Sequence, residues 1–142
     1  MSWMLISKDI RWRIATLMVV AFAYTPAEAG HIFRSMYHKD VKSGVNTYIY
    51  KNDELYEDCA VAHIKAKVTT YPEHGTLELS EGAVENTYSK LLPQSKCARK
   101  VSTGVKAFYR SSAGYKGKDE AVFYAIDPAG NGKYTTIYLT VR

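Results

Sequence analysis

From Val45 to the C-terminus, apolar and polar residues alternate at a spacing of two in short runs, and no stretch carries the 3.6-residue spacing of a long amphipathic helix. Successive side chains of a strand point to opposite faces, so each such run predicts a strand with one face buried. Ala60, Ala62, Ile64, Ala66 and Val68 alternate with Val61, His63, Lys65, Lys67 and Thr69. Val105, Ala107 and Tyr109 alternate with Lys106, Phe108 and Arg110. Near the C-terminus, Ile137, Leu139 and Val141 oppose Thr136, Tyr138 and Thr140. Ala121–Ile126 is apolar on both faces, which predicts a central strand. Val45–Tyr50 and Thr76–Ser80 add two more runs, whereas Val84–Leu92 reads equally as a strand or a short helix ended by Pro93. Residues 30–44 show no clear period and read as a leader ahead of a domain spanning 45–142. Six or seven short strands at roughly ten-residue spacing predict an all-β sandwich.

The breaks between runs carry turn chemistry. Lys51-Asn52-Asp53-Glu54, Pro72-Glu73-His74-Gly75 and Asp127-Pro128-Ala129-Gly130-Asn131-Gly132 supply the residues that preset or tolerate turn dihedrals. An excess of Tyr, 12 against 4 Phe and 2 Trp, leans the same way, because aromatic side chains suit a pleated surface. The length, 142 residues, suits one domain with a core of its own. A formal charge of +5 is mild and lacks the basic footprint of a nucleic-acid binder.

The first 29 residues read as an address. Lys8, Arg11 and Arg13 precede an apolar run from Ile14 to Tyr24, then Thr25-Pro26 and the tripeptide Ala27-Glu28-Ala29. A basic segment, a short apolar segment and small residues at an Ala-x-Ala site make a secretory signal peptide, expected over residues 1–29. A retained anchor is the alternative. The apolar run is about half of what a spanning helix needs, and Thr25-Pro26 breaks it where cleavage is expected, so no stable span remains after cleavage. Export implies a periplasmic or secreted protein and an oxidising compartment. There, the two cysteines, Cys59 and Cys97, allow one intramolecular bridge, with two buried thiols as the alternative. Compartment also argues against a nucleic-acid partner.

Pro72-x-His74-Gly75-Thr76-x-x-Leu79 resembles the turn and strand of bacterial immunoglobulin-like, cadherin-like domains, the kind found as tandem repeats in surface adhesins. Tyr109, then Ala113-Gly114-Tyr115-x-Gly117-x-Asp119, Phe123 and Asp127-x-x-Gly130 are similar to that family's second signature, and Thr136–Val141 to its closing strand. The resemblance covers about half the exported chain and implies an immunoglobulin-like antiparallel β-sandwich of about seven strands. Within it, Pro72, His74, Gly75, Tyr109, Gly114, Tyr115, Gly117, Asp119, Asp127 and Gly130 are expected to have structural roles. Gly75 and Gly117 would relieve turns, Asp119 would accept backbone hydrogen bonds of its own loop, and the Tyr109 and Tyr115 rings would cover the end of the core. Ser111 stands in place of the family's usual proline and Ala121 in place of a large aromatic, so the core there must be filled differently. The cysteine pair is no part of the pattern.

Reaction chemistry has little support in the chain. It holds no Gly-x-Ser-x-Gly elbow, no His-Glu-x-x-His and no glycine-rich phosphate loop, so an enzyme is not expected. Calcium would draw on Asp119, Glu120 and Asp127, or on Asp53, Glu54, Glu57 and Asp58, but no Asp-x-Asp spacing occurs and solvated turn acids are expected instead. His31 follows Gly30 at the expected new N-terminus, where an α-amine beside a His can chelate copper, but His38 and His63 have no sequence neighbours of ligand type and a copper site is not expected. No cofactor is expected. Two binding functions remain. The first is a non-catalytic interaction or structural module for an envelope or extracellular protein, docking through sheet edges or end loops. The second is a carbohydrate-binding accessory domain for cell-wall polysaccharide, using Tyr48, Tyr50, Tyr71, Tyr88, Phe108, Tyr124 and Tyr138 as exposed rings.

Overall fold

The computed structural model describes residues 30–142, so the export signal expected over residues 1–29 lies outside the described residues. Seven strands form in chain order: β1 (Ile32–Val41), β2 (Thr47–Asn52), β3 (Lys65–Thr70), β4 (Gly75–Glu85), β5 (Val101–Ser111), β6 (Gly117–Ile126) and β7 (Gly132–Val141). A five-residue 3-10 helix, Pro93–Cys97, interrupts the connection from β4 to β5. One sheet has the order β1-β7-β6-β3 and the other β2-β5-β4. The all-β sandwich expected from the alternation is therefore what forms.

The alternation is what puts the sheets face to face. Val105, Ala107 and Tyr109 of β5, Ala121 and Phe123 of β6, and Ile137, Leu139 and Val141 of β7 are all buried in one core with Val41, Ile49 and Tyr50. Burying a large apolar side chain contributes about 1.5–3 kcal/mol, so this set outweighs any single turn or surface contact. Ala121 is fully buried in this core, and the Tyr50 ring stacks flat on Phe123 at 4.1 Å. The β6–β7 hairpin turns at Asp127–Asn131, where Gly130 takes a φ of +87°, a conformation that favours glycine.

Three expectations are corrected. Residues 30–44 are not a leader: Ile32–Val41 is a ten-residue strand in continuous parallel register with β7. Its period was hidden because an edge strand hydrated on both sides has no reason to alternate in polarity. That pair also makes the first sheet mixed, not wholly antiparallel. Third, strand β3 starts only at Lys65; Ala60–Ile64 is irregular apart from a bridge between Leu55 and Val61. The ambiguous Val84–Leu92 splits, with β4 ending at Glu85 and Pro93 opening the 3-10 helix instead of closing an element.

The bridge Cys59–Cys97 forms, with Cα atoms 5.6 Å apart. Cys97 is fully buried, and Cys59 is brought to it by a tight turn at φ +66°. Beside the bridge, the buried Asn86 side chain donates to the Lys100 carbonyl and accepts from the Ser102 hydroxyl, tying the two ends of the β4–β5 connection together. Among the described residues no helix is long and apolar enough to cross a membrane.

Candidate functional site

Eight of the ten residues matched to the adhesin-type signature sit at one end of the sandwich. Asp119, early in β6, is almost fully buried, and its carboxylate accepts the backbone N–H groups of Glu73 (2.9 Å) and His74 (3.0 Å), the Tyr109 hydroxyl (2.9 Å) and the N–H of Glu120 (3.0 Å). The expected capping of its own loop is thus the smaller part of its work, because three of its four donors come from the β3–β4 turn and from β5. Pro72 opens that turn and Gly75 closes it. A Cβ on Gly75 would lie 2.5 Å from the Tyr109 ring and from the Arg110 carbonyl oxygen, so only glycine lets the turn lie against this tyrosine. Burial, and then the neighbouring Asp119 carboxylate, push the Tyr109 phenol well above its usual pKa.

Tyr115 stacks on His74 at 4.1 Å, nearly parallel, and donates its hydroxyl to the Lys118 carbonyl. Gly114 and Gly117 supply the positive φ of the loop between. Ser111 is buried and its hydroxyl accepts the Gly44 N–H, a hydrogen bond that proline's ring could not make. Asp127 and Gly130 lie at the far end of β6, in a separate cluster. There, burial acts against ionisation, but the Asn131 side chain and the backbone amides of Asn131, Ala129 and Gly130 outweigh it and hold the Asp127 carboxyl below its usual pKa. Both aspartates are thus engaged in fixing turns, and among the described residues no three His, Cys, Asp or Glu side chains gather as metal ligands would.

A different surface is exposed among the described residues. Strand β1 is the outer strand of its sheet, and four large apolar side chains on it stay in water: Ile32 at 65%, Phe33 at 56%, Met36 at 69% and Tyr37 at 53% exposure. Beside it, the edges of β1 and β2 border a groove of about 330 Å³, lined by Tyr37, Lys39, Tyr48, Tyr50, Lys51 and Lys133 among others. Three ammonium groups and no carboxylate line it. Lys39 spans the groove mouth, donating to the Tyr48 carbonyl at 2.6 Å with its charge 5.5 Å from the Tyr48 ring. Lys51 is held by the Glu85 carbonyl and Thr87 and pairs with the Asp53 carboxylate at 3.6 Å, just outside the lining. Tyr50 forms part of the wall with its hydroxyl buried and without a hydrogen bond of good geometry, Asn52 lying alongside. Burial lifts that phenol to about 12 despite Asn52.

The seven rings expected to face solvent do not form one platform. Tyr50 points inward, because a bulge between Tyr48 and Tyr50 turns Ile49 and Tyr50 both towards the core. Tyr48 tilts against Phe108 on the outer face of the three-stranded sheet, while Tyr138 stacks on His38 on the outer face of the other. Tyr124 and Tyr134 pack on each other between Arg34 and Lys67, which cover their remaining faces at 4.9 and 5.8 Å. Tyr71 stands alone and exposed, and Tyr88 accepts the Leu55 N–H. The residues missed from sequence, Ile32, Phe33, Met36 and Tyr37, left one signal: a cluster of apolar side chains in a segment without polar alternation. No family model, curated protein or solved structure matches this chain.

Proposed function

We propose that this chain is an exported, non-catalytic interaction module that binds another protein through the β1 edge, in the periplasm or outside the cell. The observation that carries the reading is β1 itself: a ten-residue edge strand with four large apolar side chains in water and no proline or bulge. Natural sheets blunt such an edge unless it is used, since its free N–H and C=O groups template pairing with another chain. The Cys59–Cys97 bridge supports an oxidising compartment. The strand order β2-β5-β4 against β7-β6-β3 supports the immunoglobulin-like resemblance, as do the contacts among His74, Gly75, Tyr109 and Asp119.

A photo-crosslinking side chain at Met36 tests it in the producing cell, with the same probe at Glu78 on the other sheet as control. Discrete protein adducts from Met36 and none from Glu78 are expected. Adducts from neither position, or equally from both, would remove the β1 edge from the account.

The groove favours a second reading, binding of an acidic cell-wall polysaccharide, because Lys39, Lys133 and the Tyr37 and Tyr48 rings line it together with Lys51, which alone is paired to a carboxylate, that of Asp53. On that reading Tyr48→Ala weakens retention on acidic glycan while the domain stays folded, whereas Tyr138→Ala on the other sheet leaves retention intact. Retention unchanged by Tyr48→Ala and Lys133→Ala together would end it.

A further inference from the structure

The direction of the backbone groups on β1 restricts what can add to it. The His31 and Val41 carbonyls accept hydrogen bonds from Gly132 and Arg142, so the odd-numbered residues of β1 face β7. Backbone groups alternate sides along a strand, so Ile32, Arg34, Met36, His38 and Asp40 offer their N–H and C=O groups to solvent. The pairing with β7 runs the length of the strand without a register shift, leaving the free edge regular. An antiparallel strand can dock only where its own outward residues meet these five.

A second copy meets that condition about a two-fold axis through Tyr37. Arg34 then lies opposite the partner's Asp40, and symmetry makes the pair twice. Met36 falls opposite the partner's His38, Phe33 opposite the partner's Val41, and Tyr37 opposite the partner's Tyr37. An axis one residue earlier would set Arg34 against the partner's His38 and leave Asp40 against Ile32. One residue later, Arg34 would face the partner's Lys42. Of these three registers, the one centred on Tyr37 alone opposes unlike charges. The Arg34 side chain rests over the Tyr134 ring, and Asp40 sits 3.0 Å from Arg142 with both side chains exposed, so both lie at the surface near the edge. Directly opposed pairs of unlike charge stabilise an antiparallel pairing, and like charges there oppose it.

The geometry points to self-association: two copies join β1 to β1, antiparallel about Tyr37, into one sheet that is continuous across the dimer, which, on the interaction-module reading it rests on, names the partner as a second copy of this chain. Its isologous contact gives a closed pair and leaves the β3 edges outward. Sedimentation equilibrium of the purified protein tests the claim, with a mass that doubles as concentration rises. Arg34→Asp puts like charges opposite each other twice and weakens the dimer roughly tenfold to a hundredfold. Asp40→Arg does the same, and the double substitution Arg34→Asp with Asp40→Arg restores association. Under oxidation Tyr37→Cys links two copies, while Ser35→Cys, which lies opposite the partner's Lys39, does not. A wild type still monomeric at about 1 mM, or a dimer indifferent to the charge exchange, overturns the inference. If the monomer nevertheless crosslinks from Met36 to a different protein, the interaction-module reading stands without the dimer. A monomer with no Met36 adduct ends both.

Discussion

Asp119 shows how one side chain sets the end of this sandwich. A buried carboxylate costs free energy unless it is hydrogen-bonded, and here four donors from three parts of the chain converge on it. Removing it leaves several buried donors without partners, so Asp119→Ala should destabilise the fold by about 3 kcal/mol or more, and Tyr109→Phe by about 1.5–3 kcal/mol, both read from urea unfolding. The resemblance gives Asp119 a turn-fixing role, but its Glu73 and His74 partners were not legible, because they lie 46 and 45 positions away in sequence. Tyr50 went the other way: a bulge shifts the parity on which its exposure was reckoned, and no residue between Tyr48 and Tyr50 advertises a bulge. Its buried hydroxyl predicts that Tyr50→Phe is neutral or stabilising at neutral pH. Both buried phenols have raised pKa values, so the fold favours their neutral form. That contribution is complete below the ordinary value of 10.0 and is lost as pH rises towards the folded values. Stability should therefore fall above about pH 10, less steeply in Tyr50→Phe. Asp127 has the opposite sign. Its lowered pKa contributes above the ordinary value of 3.8, and the contribution is lost as pH falls through the folded value. Asp127→Asn should flatten the acid limb of a denaturation-versus-pH series.

Among the elements, the connection from β4 to β5 depends most on covalent help. It holds a five-residue 3-10 helix, exposed Leu91 and Leu92, and few buried apolar groups besides Cys97. The bridge closes a loop of 38 residues' separation, worth about 3–4 kcal/mol in the chain-entropy account. Reduction should lower stability by about that amount, with the loss concentrated in faster amide exchange around Asn86–Lys100. Strands β5, β6 and β7 were readable because they are packed by the other sheet, and burial on one side is what imposes a two-residue period. Where that pressure is missing the pattern fails, as in β1 at the edge, and in Ala60–Ile64, which follows the disulfide turn, the period is present but no strand forms. The disulfide could be inferred from cysteine count and export, but the left-handed turn at Cys59 that delivers it could not.

For the whole molecule, the mixed sheet matters more than the strand count. Parallel pairing of β1 with β7 adds an edge strand to the sheet and leaves four of its large apolar side chains largely in water. The residues of the adhesin-like resemblance lie in turns and core, so on the proposed reading binding falls to edges and grooves. Proline offers a direct test, because it removes an N–H without disturbing bonds made on the other side of the strand. Met36 directs its N–H away from β7, so Met36→Pro deletes an outward donor and keeps the β1–β7 ladder. The measurement that bears most directly on the account is capture of crosslinked protein from the cell envelope by the tagged wild type and by Met36→Pro, with circular dichroism verifying equal folding. Captured protein, a second copy of this chain included, should drop severalfold in the proline variant. Equal capture by the two, or capture of polysaccharide with no protein, would contradict it.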